Sequence, residues 1–320
     1  MFRFKPTTAF LFLTVTLAQA QHTDVINSNR PGESQSAFSV GQTVFQAETG
    51  IYGFQEEHSL LGVETNGIGL DLNLRYGAFM EQLEFNLELQ HQWDAYNTAL
   101  GSERRSMFRQ INLGAKYLVY DPNRNYVEKR NIHSWKANQK FRWRQFIPAL
   151  AVYAGANINF DNPYLPPNEG SITPKVMVIT QNQFSGGYVL VMNIIGDRMT
   201  SEFPSYGYVV TLTKGFNEKW SGFLENQGFM SDWYADSILR GGAAYLIKEN
   251  IQVDASISSN FKDTPSVLYG GIGLSWRFDQ NYQPVLIRSG KEEGKDDKKK
   301  KEKKDKKKRK DEIEIETEKP

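Results

Sequence analysis

The sequence contains no cysteine, which excludes disulfide bridges and a lipoprotein anchor. Beyond the N-terminus it has no run of about 18 apolar residues, which excludes a helical membrane protein. Histidine is scarce: the 4 residues are scattered, and none has a second histidine at metal-ligand spacing. No Gly-x-Ser-x-Gly elbow and no phosphate-binding loop occur. These absences predict no enzyme, no metal site and no cofactor.

The first residues have the composition of a secretory signal peptide. Arg3 and Lys5 precede an apolar core over residues 9–17, and Ala-Gln-Ala at 18–20 is a small-x-small cleavage site. We therefore expect residues 1–20 to be removed and the mature chain to be exported.

Period-2 alternation of apolar and polar residues is the main pattern of the remaining chain. Of the stretches that show it, Ser266–Phe278 is the most informative, because it ends on aromatic residues and the chain then becomes polar. We expect it to be the last of about 12 strands, counting one for each alternating stretch. The stretch at 175–184 is ambiguous in phase, and the stretch at 220–228 is weakly patterned.

The polar faces of these strands decide the fold class. They carry too many charges for the sealed core of a soluble sandwich, where unpaired charges cost several kcal/mol each. A lumen tolerates them, and lipid then covers the apolar faces. The lumen-lining candidates are acidic Glu48, Asp71, Glu84, Glu88, Glu225 and Asp254, and basic Arg75, Lys116, Lys175, Arg240 and Arg277. Their balance favours ion pairing across the lumen over a selectivity ring of one sign.

The predicted fold is therefore all-β: an antiparallel transmembrane β-barrel of about 12 strands, with a soluble sandwich or propeller as the alternative. Several connections on one side are tight, such as 77–81 and 185–186, whereas those on the other side, such as 97–105 and 161–173, are mostly longer. In outer-membrane barrels short turns face the periplasm. We thus expect a Gram-negative outer-membrane protein, surrounded by outer-membrane lipid, with both termini periplasmic.

Residues 121–145 interrupt this regularity, because they form a long connection on the short-turn side. The segment is either a solvated insertion or a basic docking element for a periplasmic partner or lipid phosphates. Its candidate partner-binding residues are Arg130, Lys136, Lys140, Arg142 and Arg144.

Residues 280–320 form a separate compositional zone. Residues 298–310 hold 11 basic and 2 acidic residues, and such charge blocks are typically disordered. The tail is either solvated without a partner or bound to an anionic one, peptidoglycan or an acidic protein; nucleic acid is not expected in the periplasm. Its candidate partner-binding residues are Lys298, Lys303, Lys306 and Arg309.

Four stretches resemble a known family: SNRPGESQSAFSVGQTVFQAETG, the Gly114, Lys116, Tyr117 set, FIPALAVYAGANINF and GGIGLSWRFD. Over residues 27–279 they are similar to the outer-membrane transporter family labelled "MetA pathway of phenol degradation". The resemblance implies a β-barrel that passes small, often aromatic, compounds, and it carries over no catalytic residue. The family's usual acidic residue before Arg-Pro is Asn29 here. Trp276 and Phe278 resemble the aromatic strand end that the barrel-insertion machinery recognises.

The sequence thus predicts a signal peptide at 1–20, a periplasmic N-terminal segment at 21–42, an outer-membrane barrel at 43–279 and a disordered lysine-rich tail at 280–320. It leaves open whether the N-terminal segment folds back as a plug. Two functions remain: a channel for small, hydrophobic or aromatic, molecules, or a non-transporting accessory subunit that docks through its basic insertion and tail.

Overall fold

The computed structural model describes residues 25–124, 143–160, 162–166, 169–279 and 282. The predicted signal peptide and most of the basic insertion and tail lie outside the described residues. So do the partner-binding candidates Arg130, Lys136, Lys140, Arg142, Lys298, Lys303, Lys306 and Arg309.

Antiparallel strands form one closed barrel, which confirms the predicted fold class and its strand number of 12. The strands are β1 Phe45–His58, β2 Val63–Gly77, β3 Leu83–Thr98, β4 Gly101–Tyr120, β5 Ala149–Ile158, β6 Ile172–Phe184, β7 Tyr188–Asp197, β8 Ser205–Gly215, β9 Trp220–Met230, β10 Ala235–Lys248, β11 Ile251–Asn260 and β12 Ser266–Phe278. A 3-10 turn at Trp143–Phe146 precedes β5. Among the described residues, no helix is long and apolar enough to cross a membrane.

Neighbours in sequence pair with each other, and β1 closes the barrel against β12 in an unbroken register from Phe45 opposite Phe278 to Glu57 opposite Ser266. Closure leaves no free sheet edge, so the strands satisfy one another's backbone hydrogen bonds. Apolar side chains point outward; Ile272, for example, is 66% exposed. The barrel is therefore apolar outside and polar inside, the reverse of a soluble protein.

The two rims differ. We call the rim where β1 begins and β12 ends the terminal end, and the opposite rim the loop end. Connections at the terminal end include the short turns 185–187 and 249–250. At the loop end, the long loop predicted at 97–105 is absent, because β3 and β4 extend and leave a turn of only Ala99 and Leu100. Cross-strand pairs such as Asp94 with Arg105 support the longer strands.

The chain before β1 lies inside the barrel. We call residues 25–44 the interior segment. The backbone N–H of Ile26 donates to the Glu249 carbonyl at 2.7 Å, and that of Thr43 donates to the Gly77 carbonyl at 2.8 Å, so both ends are held at the terminal end. The segment thus folds back into the barrel, which answers the question that the sequence left open.

Part of the interior is apolar. Phe38 of the interior segment belongs to one buried cluster with residues of β4, β5 and β6, including Tyr153, Met177 and Ile179. Because Met177 and Ile179 face inward while Val178 faces outward, β6 is apolar on both faces. This arrangement explains why its phase is ambiguous in the sequence.

Candidate functional site: the barrel lumen

Four charged wall residues with fully buried side chains form one network in the terminal half of the lumen. Arg75 lies 3.0 Å from Glu48 and 2.9 Å from Glu84, and Lys116 Nζ lies 3.0 Å from Glu84. Two carboxylates and two bases compensate one another, which an interior site requires. They occupy the adjacent strands β1 to β4, and Glu84 faces Lys116 directly in the register. The pairing thus runs between neighbouring strands rather than across the lumen.

This network also binds the backbone of the interior segment. Glu48 accepts hydrogen bonds from the N–H groups of Asn29 at 3.1 Å and Arg30 at 3.2 Å. Glu84 accepts one from the Val40 N–H at 2.8 Å. The wall charges therefore serve two purposes: they neutralise one another, and they satisfy peptide groups that would otherwise be unpaired inside the barrel.

The far wall holds the segment in the same way. Glu225 on β9 accepts the N–H of Glu33 at 3.0 Å and of Ser34 at 3.4 Å. Asn193 on β7 accepts the Gln35 N–H at 2.6 Å and donates to the Gln35 carbonyl at 3.0 Å. The segment therefore crosses the lumen and is anchored on opposite sides.

Arg30 is the charged side chain by which the segment contacts the wall most closely. Its guanidinium lies 3.4 Å from Asp254 and 3.6 Å from Asp71. It occupies a slot between Gly50 of β1 and Gly273 of β12, which face each other in register. A Cβ at either glycine would collide with the guanidinium, so the slot exists because both side chains are missing.

The other predicted lumen residues also face inward and are paired. Lys175 lies 3.4 Å from Glu88, Arg240 pairs with Glu225, and Arg277 lies 2.9 Å from Asp279 at the terminal end. The proposed insertion-signal residues Trp276 and Phe278 contact each other at the terminal end of β12, with ring centroids 5.9 Å apart. Among the partner-binding candidates of the basic insertion, Arg144 lies in the described part of the chain, and it donates to the Pro122 carbonyl at 2.5 Å.

The interior segment does not fill the lumen. A cavity of about 340 Å³ remains between it and the wall of β6 to β11. Every wall residue that lines this cavity is uncharged, for example Gln183, Val191, Thr213 and Phe223. On the segment side, Arg30 is the one charged lining residue. The cavity thus lies between the interior segment and an uncharged part of the wall.

Toward the loop end the lumen is lined by aromatic rings. Tyr52 and Phe54 of β1 and Tyr269 of β12 form what we call the luminal aromatic cluster, with centroid distances of 5.7 to 6.1 Å. Gly69 faces Tyr52 in the register, and its lack of a side chain lets the tyrosine ring lie flat against the wall. The alternating pattern places these rings inward, but only charged residues were predicted to line the lumen.

A β-bulge adds a positive charge to this region. Gln90 pairs with Gln110, but the next pair is His91 with Phe108, so Arg109 is an extra residue on β4. Its Nη1 donates to Gln92 Oε1 at 3.4 Å and to the Tyr269 hydroxyl, on the other side of the lumen, at 3.5 Å. Sequence alternation alone places Arg109 on the lipid side, because the bulge that reverses the phase leaves no sequence signal.

The same phase reversal brings Arg105 inward at the loop end. Its Nε lies 2.8 Å from Asp94, and its guanidinium stacks over Tyr96 and Tyr164 at 4.4 and 5.0 Å from the ring centroids. The Tyr164 hydroxyl, on the loop between β5 and β6, donates to Asp94 at 2.7 Å. Burial and this bond raise the pKa of Tyr164, so it remains a neutral donor. The loop is thereby fixed against the rim.

No group of three or more histidine, cysteine or carboxylate residues in the described part of the chain could hold a metal ion. The described lumen is lined by hydrogen-bonding, aromatic and charged groups.

Comparisons with known proteins agree with this architecture. The structure is similar to a COG4313 outer membrane channel from Pseudomonas putida F1, with a TM-score of 0.50 and 10% identity, covering 79% of this chain and 100% of that one. It also matches the monoaromatic hydrocarbon channel CymD (TM-score 0.44, 10% identity, 75% and 90% covered) and the translocator domain of the autotransporter NalP from Neisseria meningitidis (0.42, 11%, 73% and 88%). The sequence search against curated proteins finds no match. The family model described as "Putative MetA-pathway of phenol degradation" matches residues 28–278, and the chain therefore belongs to this family.

Proposed function

We propose that the protein is an outer-membrane channel that lets small molecules, aromatic ones in particular, diffuse into the periplasm. The observation that carries this proposal is the cavity of about 340 Å³ beside the interior segment. Barrels of about 8 strands are filled by side chains, whereas those of 16 hold wide aqueous channels. This barrel lies between these classes and keeps open space although a chain segment is folded inside it.

The distribution of side chains supports aromatic cargo. The luminal aromatic cluster lies toward the loop end, and the uncharged wall of β6 to β11 borders the cavity in the terminal half. A small apolar molecule would meet aromatic faces first and would then reach a cavity whose wall lining is uncharged. The family description, which refers to phenol degradation, supports the same class of cargo.

The short turns at the terminal end support an orientation with this rim, and both termini, in the periplasm. Cargo would then enter at the loop end.

Conductance in planar bilayers tests the proposal. Val191 lines the cavity and is buried, whereas its neighbour Met192 faces lipid. Val191→Trp should fill the passage and lower single-channel conductance, whereas Met192→Trp should leave it unchanged. Equal conductance in both variants would show that ions do not use this passage.

Complete absence of conductance in the wild type would instead favour the accessory-subunit hypothesis, in which the barrel only anchors the basic insertion and tail. That hypothesis depends on residues 125–142 and 283–320, which lie outside the described part of the chain. Co-purification of a periplasmic partner that is lost on truncation after Asp279 would then be the supporting result.

A further inference from the structure

Arg109 differs from the other basic residues on the inward faces of the described strands. Each of the others has a carboxylate within ion-pair distance, as Arg105 has with Asp94 and Lys175 has with Glu88. The hydrogen bonds of Arg109 run to neutral oxygens, those of Gln92 at 3.4 Å and Tyr269 at 3.5 Å, and the Tyr52 hydroxyl also faces its guanidinium.

Two carboxylates face the same region without pairing with Arg109. Glu56 and Asp71 act on the guanidinium electrostatically, but neither lies within the 4.0 Å that defines an ion pair. Asp71 already pairs with Arg30 and accepts a hydrogen bond from Gln90. The two long hydrogen bonds leave most of the donors of Arg109 unused, since a guanidinium has five.

A guanidinium in this state suits one type of ligand group. Its planar fork matches a carboxylate, and charge-assisted bidentate bonds are stronger than bonds to neutral acceptors. In a confined lumen an incoming carboxylate would supply the missing countercharge. The bulge that turns Arg109 inward is typical of positions where a side chain is aimed at a binding site.

The luminal aromatic cluster defines the rest of the ligand. Tyr269 belongs to the cluster and also accepts the hydrogen bond from Arg109, so the guanidinium adjoins the rings of Tyr52 and Phe54 on the inner face of the barrel. An aromatic ring packs favourably against such rings in tilted or offset arrangements. A flat molecule with a ring at one side and a carboxylate at the other would engage both features at once.

We propose that the loop half of the lumen is a binding site for aromatic carboxylates, with the carboxylate on Arg109 and the ring against Tyr52, Phe54 and Tyr269. The site deepens the proposed channel function by naming its cargo class, and its physiological role rests on that function. Binding itself does not require conduction, so the two can be tested separately.

Ligand-observed NMR titration of the folded, full-length chain in detergent tests the binding. Benzoate is the probe, acetate supplies the charge without the ring, and benzyl alcohol supplies the ring without the charge. Arg109→Gln should weaken benzoate binding about tenfold, the effect of losing one or two charge-assisted hydrogen bonds, and Arg109→Lys should weaken it less. Arg104→Gln removes an exposed charge from the same strand and is the matched control. Heat-modifiable gel mobility verifies that each variant is folded.

Benzoate binding that is tighter than that of acetate and benzyl alcohol, and that is weakened about tenfold in Arg109→Gln but kept in Arg104→Gln, supports the site. Equal benzoate affinity in wild type and Arg109→Gln, or equal binding of the three probes, overturns it. If the channel conducts but benzoate binding is independent of Arg109, this inference fails and the channel function stands. If benzoate binds through Arg109 but the barrel does not conduct, the channel function fails instead.

Discussion

Neutralising Glu84 should destabilise the barrel more than neutralising any exposed carboxylate would. Glu84 is the carboxylate shared by Arg75 and Lys116, and all three side chains are fully buried. In Glu84→Gln, Arg75 keeps Glu48, but Lys116 retains only the carbonyl groups of Ser36 and Phe38. The network changes from net neutral to one uncompensated positive charge.

Breaking a buried ion pair by removing one partner costs about 3–5 kcal/mol, mostly because the other charge remains buried. We expect a loss of this size for Glu84→Gln. Glu64, an exposed residue near the loop end of β2, provides the matched control, and Glu64→Gln should change stability by less than about 0.5 kcal/mol. Urea unfolding of the protein in lipid vesicles, followed by tryptophan fluorescence and gel mobility, measures both.

A double variant separates charge from packing. Glu84→Gln combined with Lys116→Met restores net neutrality, so it should recover most of the stability that Glu84→Gln loses. Recovery should be incomplete, because Lys116 also binds the interior segment. If Glu84→Gln costs less than about 1 kcal/mol, or if the double variant is no more stable than the single one, charge compensation in this network does not stabilise the barrel.

Three further outcomes are expected. Deleting residues 25–42 should raise single-channel conductance while the barrel still assembles, because the segment occupies much of the terminal half; unchanged conductance would mean that ions already bypass it. Burial raises the pKa of Glu81, in the turn between β2 and β3, so its contribution to stability falls as the pH rises above the ordinary carboxyl range. Glu81→Gln should therefore increase the urea midpoint relative to wild type at pH 8 but not at pH 4, and an equal gain at both would contradict this. Phe278→Asp should lower the amount of assembled barrel, since it places a charge at the lipid-facing end of the closing strand; normal amounts would argue against that strand end as an insertion signal.

The alternation of residues was enough to predict the barrel, because lipid outside and polar groups inside impose a period of 2 on every strand. It was also enough to place Glu48, Arg75, Glu84 and Lys116 inward. What it could not predict was their partners, since these depend on register and on the interior segment.

Two features could not be predicted from the sequence, for physical reasons. The bulge at Arg109 reverses the phase of β4, and nothing in the composition of the strand marks it. The interior segment is held mainly through its peptide groups, so its side chains carry little signal of where it lies. The inward-facing carboxylates such as Glu225 were the available clue, because peptide N–H groups need acceptors inside a barrel.

Because the wall binds the interior segment through hydrogen bonds to its peptide groups, many different side chains are compatible with this binding. Glu33, Ser34 and Val40 are bound by their N–H groups, which every amino acid except proline would offer equally. These hydrogen bonds place no demand on the side chain of the residue that donates them, whereas replacing Glu84 or Glu225 would remove the acceptor. A segment whose sequence tolerates change can thus be bound as firmly as the strands around it, because the residues that fix its position are the hydrogen-bond acceptors on the barrel wall.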